Sequence, residues 1–164
     1  MTPSLDVVST LVSLRLRVAV AESLTGGLLV AELINTPGAS ETVLGGVVAY
    51  NTELKRSILG VDASVLNVHG AVHPDVAVQM AVGVREVCAV DGTAAEVGIG
   101  VTGVAGPDGQ DGQEPGTVFL AIAIGADVRV KRLALAGDRN SIRRQVVDEA
   151  MAELGDRLAE FADS

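Results

Sequence analysis

The only tyrosine and one of just two lysines in this 164-residue chain stand five positions apart, in Tyr50-Asn51-Thr52-Glu53-Leu54-Lys55. A lysine held near a hydroxyl in a dry pocket has a lowered pKa and can act as a base. The spacing equally fits a half-buried Tyr50 with a wet hydroxyl and a Lys55 paired to an acid such as Glu53. A second segment, Ala21-Glu22-Ser23-Leu24-Thr25-Gly26-Gly27, sets Ser23 and Thr25 just before two glycines. Where a strand turns into a helix, free backbone N–H groups and the positive helix end receive anions or oxyanions. There Ser23 or Thr25 could supply a nucleophile or a substrate contact, and Gly26 and Gly27 would let a ligand approach the backbone. A plain N-cap with glycines chosen for packing accounts for the same residues.

A third segment, Val101-Thr102-Gly103-Val104-Ala105-Gly106-Pro107-Asp108-Gly109, runs into a glycine-rich stretch whose N–H groups could cradle a phosphate or carboxylate. No Gly-Lys-Ser/Thr comes after it and no spaced G-x-G-x-x-G occurs, so it is neither a Walker loop nor a dinucleotide fingerprint. Asp108 and Asp111 would repel a phosphate unless turned away, and a flexible surface loop is the alternative. The fourth segment is Gly137-Asp138-Arg139 with Arg143-Arg144, three guanidinium groups in the first turns of a helix. Their charge opposes the helix dipole, so an anionic ligand would explain them. Pairing along the helix, as of Arg144 with Asp148, would explain them too. His69 and His73 are separated by Gly70 and lack a third ligand, so no metal is expected. Cys88 falls on an apolar helical stripe and reads as core rather than nucleophile.

Hydrophobic periodicity indicates the elements that hold these segments. From Leu5 to about Arg15, residues Leu5, Val8, Leu11 and Val12 have helical spacing, and Met1 to Ser13 reads as the start of an amphipathic helix. Arg17–Ala21 reads as a short buried strand, and a helix over Leu28–Ile34 comes after it and stops at Asn35-Thr36-Pro37-Gly38. Gly45–Tyr50 is a second strand, after which Asn51 or Thr52 can cap a helix carrying Lys55. Pro74 suits the first turn of another helix, with Ala77, Met80, Ala81, Val84, Val87 and Cys88 as its apolar stripe. Strands are predicted over Glu96–Thr102, Gly116–Ile124 and Val128–Leu135, the last two joined as an antiparallel hairpin. The 103–115 loop between the first two is long enough to be functional or mobile. A C-terminal helix presents Ile142, Val146, Ala150, Leu154, Leu158 and Phe161 on one face. Helices alternating with strands predict one domain over residues 1–164, a three-layer α/β/α structure with a mixed, partly antiparallel sheet.

Composition narrows the functions. Apolar residues make up 48% of the chain and charged residues 20%, which excludes a disordered polymer. The net charge of −9 and the 2% aromatic content argue against phosphate-backbone binding and base stacking, so no nucleic-acid partner is expected. The apolar runs are too short to span a bilayer, so no membrane partner is expected. The start of the chain lacks a signal-peptide layout and the lone Cys88 suits a reducing compartment, so the expected location is cytoplasmic. A mean hydropathy of +0.41 predicts a homo-oligomer, at least a dimer.

Taken in order, AESLTGG, GGVVAYNTELK, HGAVH, TGVAGPDGQ, GTV and GDRNSIR resemble the C-terminal domain of the CinA (competence/damage-inducible protein) family. The family pattern runs roughly AESCTGG, GGVVxYSNxxK, HGAVS, TGIAGPDGG, GTV and GDRxxIR. Its catalytically characterised members are nicotinamide-mononucleotide deamidases, also called PncC. The resemblance implies an amidohydrolase that converts nicotinamide mononucleotide and water to nicotinate mononucleotide and ammonia, with no cofactor and no metal. It implies Ser23 as nucleophile, Lys55 and Tyr50 as the groups that activate it or move protons, and Thr102 at the amide or oxyanion. Arg139 would meet the phosphate or carbonyl end. Thr25, Gly26, Gly27, Gly103 and Gly106 would complete the binding of this small nucleotide substrate. An acyl-enzyme on Ser23 and a water activated by Lys55 both fit. Longer family members add an N-terminal domain, and the resemblance here covers the deamidase part.

Four departures stand out: Leu24 for the usual Cys, Asn51-Thr52 for Ser-Asn, His73 for Ser, and Glu114-Pro115 for Lys-Pro-Val. Leu24 removes a thiol from the site, and Glu114 removes a positive charge. They motivate an alternative, a non-catalytic nucleotide-binding or partner protein of the competence and DNA-damage system. Hydrolysis of a different amide is a third reading.

Overall fold

Alternation along the central strands gives the sheet two unlike faces. The computed structural model describes residues 3–164, with side chains from Val7 onward. Strands β1 (Val18–Glu22), β2 (Val43–Val48), β3 (Val97–Gly103), β4 (Thr117–Ile124) and β5 (Asp127–Ala134) form one sheet in the order β2-β1-β3-β4-β5. β1 is parallel to both β2 and β3, whereas β3–β4 and β4–β5 are antiparallel. The sheet is therefore mixed, as its element pattern predicts. Six α-helices are described: α1 (Pro3–Leu14), α2 (Leu28–Ile34), α3 (Thr52–Ser57), α4 (Ala63–His69), α5 (Pro74–Val87) and α6 (Arg139–Ala162).

On one face, Val18, Val20, Val97, Ile99, Val101, Leu120 and Ile122 pack against apolar residues of α1, α2 and α6. The other face presents Ala19 and Ala21 to α5 residues Val76, Met80 and Val84, and Ala121 and Ala123 to Ala77 and Ala81. Gly98 and Gly100 of β3 belong to this second face, where α5 comes very close. A Cβ on Gly98 would lie 1.9 Å from the Ala81 carbonyl oxygen, and one on Gly100 would lie 2.3 Å from that of Ala77. The helix backbone thus rests almost directly on the strand.

At the sheet end opposite the candidate site, Arg17 and Glu96 tie β1 to β3. The guanidinium reaches both carboxylate oxygens, at 3.0 and 2.7 Å, and the Arg17 backbone N–H adds a bond of 2.8 Å. These bonds hold the Glu96 carboxyl at about 2, well below its ordinary range.

Some expectations need correction. β2 begins at Val43 and ends at Val48, so Tyr50 lies beyond the strand. Helix α4 lacks the long apolar stripe that would reveal it; Asp62 caps it, accepting from the Ser64 N–H at 2.7 Å. Val87 is exposed and Cys88 only half-buried, because the packed stripe of α5 ends at Val84. Phe161 is exposed as well, in the final turn after the last buried position, Leu158. Met1 and Thr2 and the side chain of Leu5, assigned from sequence to the first helix, lie outside the described residues.

Candidate active site

Sheets with parallel strands place ligands beyond the carboxyl ends of those strands. Ser23 comes directly after the last residue of β1, and Thr102 is the penultimate residue of β3, its parallel neighbour. Between them opens a pocket of about 280 Å³, lined by Ser23, Leu24, Tyr50, Thr102, Arg139 and the 103–106 segment, among others.

The Lys55 side chain, only 1% exposed, is buried at this site. Its Nζ donates to Ser23 Oγ at 2.9 Å and to the Ala49 carbonyl at 2.7 Å, with a weaker contact to the Tyr50 carbonyl at 3.5 Å. Helix α3 makes this possible. Asn51 caps it by accepting from the Glu53 N–H at 2.9 Å, which turns the chain so that Lys55 points back under the strand ends. Burial pushes the Lys55 ammonium down to about 8, and attraction to Asp111 opposes the fall. Glu53 is not its partner; that carboxylate is bound by Arg56.

Thr102 Oγ1 donates to the Ala71 carbonyl at 2.7 Å, so its hydroxyl hydrogen is engaged and only its lone pairs remain for a ligand. Arg139 donates to the Gly106 carbonyl at 2.6 Å and to Tyr50 Oη at 2.9 Å. Neither contact is an ion pair, and the guanidinium brings positive charge to the pocket edge. The Tyr50 side chain is 62% exposed and engaged with Arg139; Lys55 touches only its carbonyl.

The Thr25-Gly26-Gly27 turn does not line the pocket. The Glu22 carboxylate accepts from the N–H groups of Gly27, Leu29 and Val30 at 2.9–3.1 Å, occupying the start of α2. The Gly26 N–H is engaged by the Ser23 carbonyl at 3.2 Å. Gly27 has a φ of 103°, a left-handed conformation that permits this tight turn. Thr25 is fully buried, and its hydroxyl has no hydrogen-bond partner among the described residues. The anion-receiving role expected of this turn is thus filled internally by Glu22.

Of the three guanidinium groups in the first turns of α6, only Arg139 reaches the pocket. Arg143 donates to the carbonyls of Leu24 and Thr25 at 2.7 and 3.3 Å and so pins the turn behind Ser23. Arg144 lies with Glu32 and Asp148 in a separate shallow depression. His73 caps α5, its Nδ1 accepting from the Asp75 N–H at 3.2 Å, and its ring stacks on that of His69 at 4.1 Å. No group of three or more His, Cys, Asp or Glu is placed to hold a metal ion among the described residues. Nor is any helix there long and apolar enough to cross a membrane. Sequence reasoning missed two residues. From sequence, Glu22 reads only as part of a turn and Asp111 only as a repulsive charge. The one available signal for Asp111 was Gly70, which leaves space for its carboxylate.

A buried lysine on a serine hydroxyl, at the carboxyl ends of two parallel strands, defines an α/β protein with a Ser–Lys site. The sequence profile of the CinA C-terminal domain matches residues 2–158, and the chain belongs to that family. A CinA-like protein of Gemmatimonas aurantiaca is 47% identical over 140 residues, 85% of this chain and 32% of the relative. The chain spans about a third of the length of the curated relatives it matches. Among solved structures, a CinA-superfamily protein from Klebsiella pneumoniae has a TM-score of 0.90 at 33% identity, covering 96% of each chain. A competence/damage-inducible protein from Agrobacterium tumefaciens has a TM-score of 0.83 at 32% identity, covering 97% of each.

Proposed function

We propose that this domain is an amidohydrolase that converts nicotinamide mononucleotide and water to nicotinate mononucleotide and ammonia. The observation that carries this reading is the buried Lys55 Nζ, 2.9 Å from Ser23 Oγ beside the pocket. With Lys55 at about 8, roughly a tenth of it is neutral at pH 7, enough to serve as a general base. Neutral Lys55 takes the Ser23 proton as Oγ attacks the amide carbon. The tetrahedral intermediate collapses, Lys55 returns the proton to the departing nitrogen, and ammonia leaves. Water then attacks the acyl-Ser23 ester with Lys55 again as base, releasing the carboxylate and restoring the serine.

The other residues fit around this step. Thr102, its hydrogen committed to Ala71, accepts from the carboxamide NH₂ and orients it. Arg139 holds the phosphate or the carbonyl end through N–H groups not used by Gly106 and Tyr50. With so few aromatic residues, the ring rests on Leu24, Val72 and Val104 in the pocket lining rather than in an aromatic sandwich. The test is ammonia release from nicotinamide mononucleotide by the purified protein. Turnover lost in Lys55→Ala and Ser23→Ala supports the reading, and no turnover above a Lys55→Ala control overturns it. Tight binding without hydrolysis would favour the partner-protein alternative, and a panel of carboxamides would expose a different amide substrate. We also infer a homo-oligomer, at least a dimer, from exposed apolar side chains such as Ile34 and Val68, checked by light scattering at micromolar concentration.

A further inference from the structure

The loop after β3 reaches the segment between α4 and α5, and the contact is made by a carboxylate. Asp111 Oδ2 accepts from the Ala71 N–H at 2.8 Å, while the Ala71 carbonyl accepts from Thr102 Oγ1 at 2.7 Å. The Ala71 backbone is therefore held from both sides, and Ala71 and Val72 form part of the pocket wall. Gly70 leaves the room required: a Cβ there would lie 2.3 Å from Asp111 Cγ. Asp111 has a φ of 50°, a left-handed conformation that non-glycine residues seldom adopt. Reciprocal backbone bonds between Gln110 and Gln113, at 3.0 and 2.8 Å, close the turn that presents it.

Asp111 is also the one charge whose attraction registers at Lys55. The other charged groups around the site are engaged elsewhere or belong to its open side. Glu22 is consumed by the start of α2, and Glu53 and Arg56 bind each other on the exposed side of α3. Arg139 is held by Gly106 and Tyr50, and Asp108 is an exposed residue of the pocket lining.

We propose that Asp111 is a positioning residue of the site. Its carboxylate fastens the 103–115 loop to the Gly70–Ala71 backbone and so fixes the pocket wall that Ala71 shares with Thr102. The proposal rests on the amidohydrolase reading for its catalytic meaning, but its physical content is independent of any substrate. Asp111→Asn keeps an oxygen for the Ala71 N–H and removes the charge; Asp111→Ala removes both.

Because the chain has only Lys55 and Lys131, ¹³Cε-lysine NMR of the full chain reads the Lys55 titration directly, with Lys131 as internal reference. The Lys55 midpoint is expected to fall by about half a unit or more in Asp111→Asn, with Lys131 unmoved. The neutral fraction of Lys55 at pH 7 would then rise about threefold. Hydrogen exchange at the Ala71 amide is expected to stay slow in Asp111→Asn and to accelerate in Asp111→Ala. Ala71 protection retained in Asp111→Ala overturns the fastening role, and a Lys55 midpoint unchanged in Asp111→Asn overturns any reach of the Asp111 charge into the site. Should the wild-type protein release no ammonia, the amidohydrolase reading fails on its own, while the exchange and the titration still decide the role of Asp111.

Discussion

The two faces of the sheet do different work with different residues. The face under α1, α2 and α6 is built from Val, Ile and Leu, whose bulk holds the helices away from the strands and buries most apolar area. The face under α5 is built from Ala and Gly, so helix and strand backbones nearly touch. Thr102 belongs to this thin face, and the pocket opens where α5 begins. Consecutive residues of one strand show the contrast: Gly98 and Gly100 meet the α5 backbone, while Ile99 between them points into the thick core. Stability concentrates where side chains are large. Positional precision concentrates where they are absent, because a close backbone contact leaves little room for the elements to slide.

The largest effect that would sharpen this division is chemical. Lys55→Met should lower kcat for ammonia release by about a thousandfold. The same variant should keep or raise the unfolding midpoint near pH 7, since it removes a charge that burial disfavours. A collapse of the fold, seen by circular dichroism, would break the comparison by making Lys55 a structural residue. The depressed Lys55 also sets the pH dependence. The rate of ammonia release should climb about tenfold per unit below pH 8 and level off above it. Between about pH 8 and 10.5 the folded protein carries fewer protons than the unfolded chain, so stability should rise with pH there. That rise should be missing in Lys55→Met.

Next comes the contrast within β3. Gly98→Ala forces a methyl against the Ala81 carbonyl and should lower stability by about 3 kcal/mol in denaturant titration. Ile99→Val, one position on but in the thick core, should lose only about 1 kcal/mol. The reverse ranking would show that α5 gives way and that the thin face is not tightly held. Glu96→Gln, on the partly exposed clamp at the far end of the strands, should lose about 1 kcal/mol after solvent screening. The Glu96 contribution is present above about pH 4.5 and fades as pH falls toward 2, so wild type and variant should converge in acid unfolding. Smallest of all, Tyr50→Phe removes an exposed acceptor from Arg139. Steady-state kinetics should show KM raised a fewfold and kcat within about twofold.

Much of the fold was legible in the residues because periodicity is local. The bounds of α2 and the alternation in β3 and β4 can be read from the pattern of apolar positions, and Pro74 marks the start of α5. Helix α4 was not legible, since its four apolar residues make no stripe. In the site, Ser23, Lys55, Thr102 and Arg139 could be picked by residue type and by their places at strand ends and helix starts. Their partners could not be.

Short-range spacing and matched motifs are enough to give most of the element types, the family and the residues able to do chemistry. Which of them meet depends on packing in three dimensions. Lys55 finds Ser23 across 32 positions, Asp111 finds Ala71 across 40, and Arg143 finds Leu24 across 119. It also turned Glu22 onto the start of α2 and left Tyr50 in solvent. The reason is physical: burial and hydrogen-bond geometry depend on what packs from elsewhere in the chain, and no local spacing encodes that.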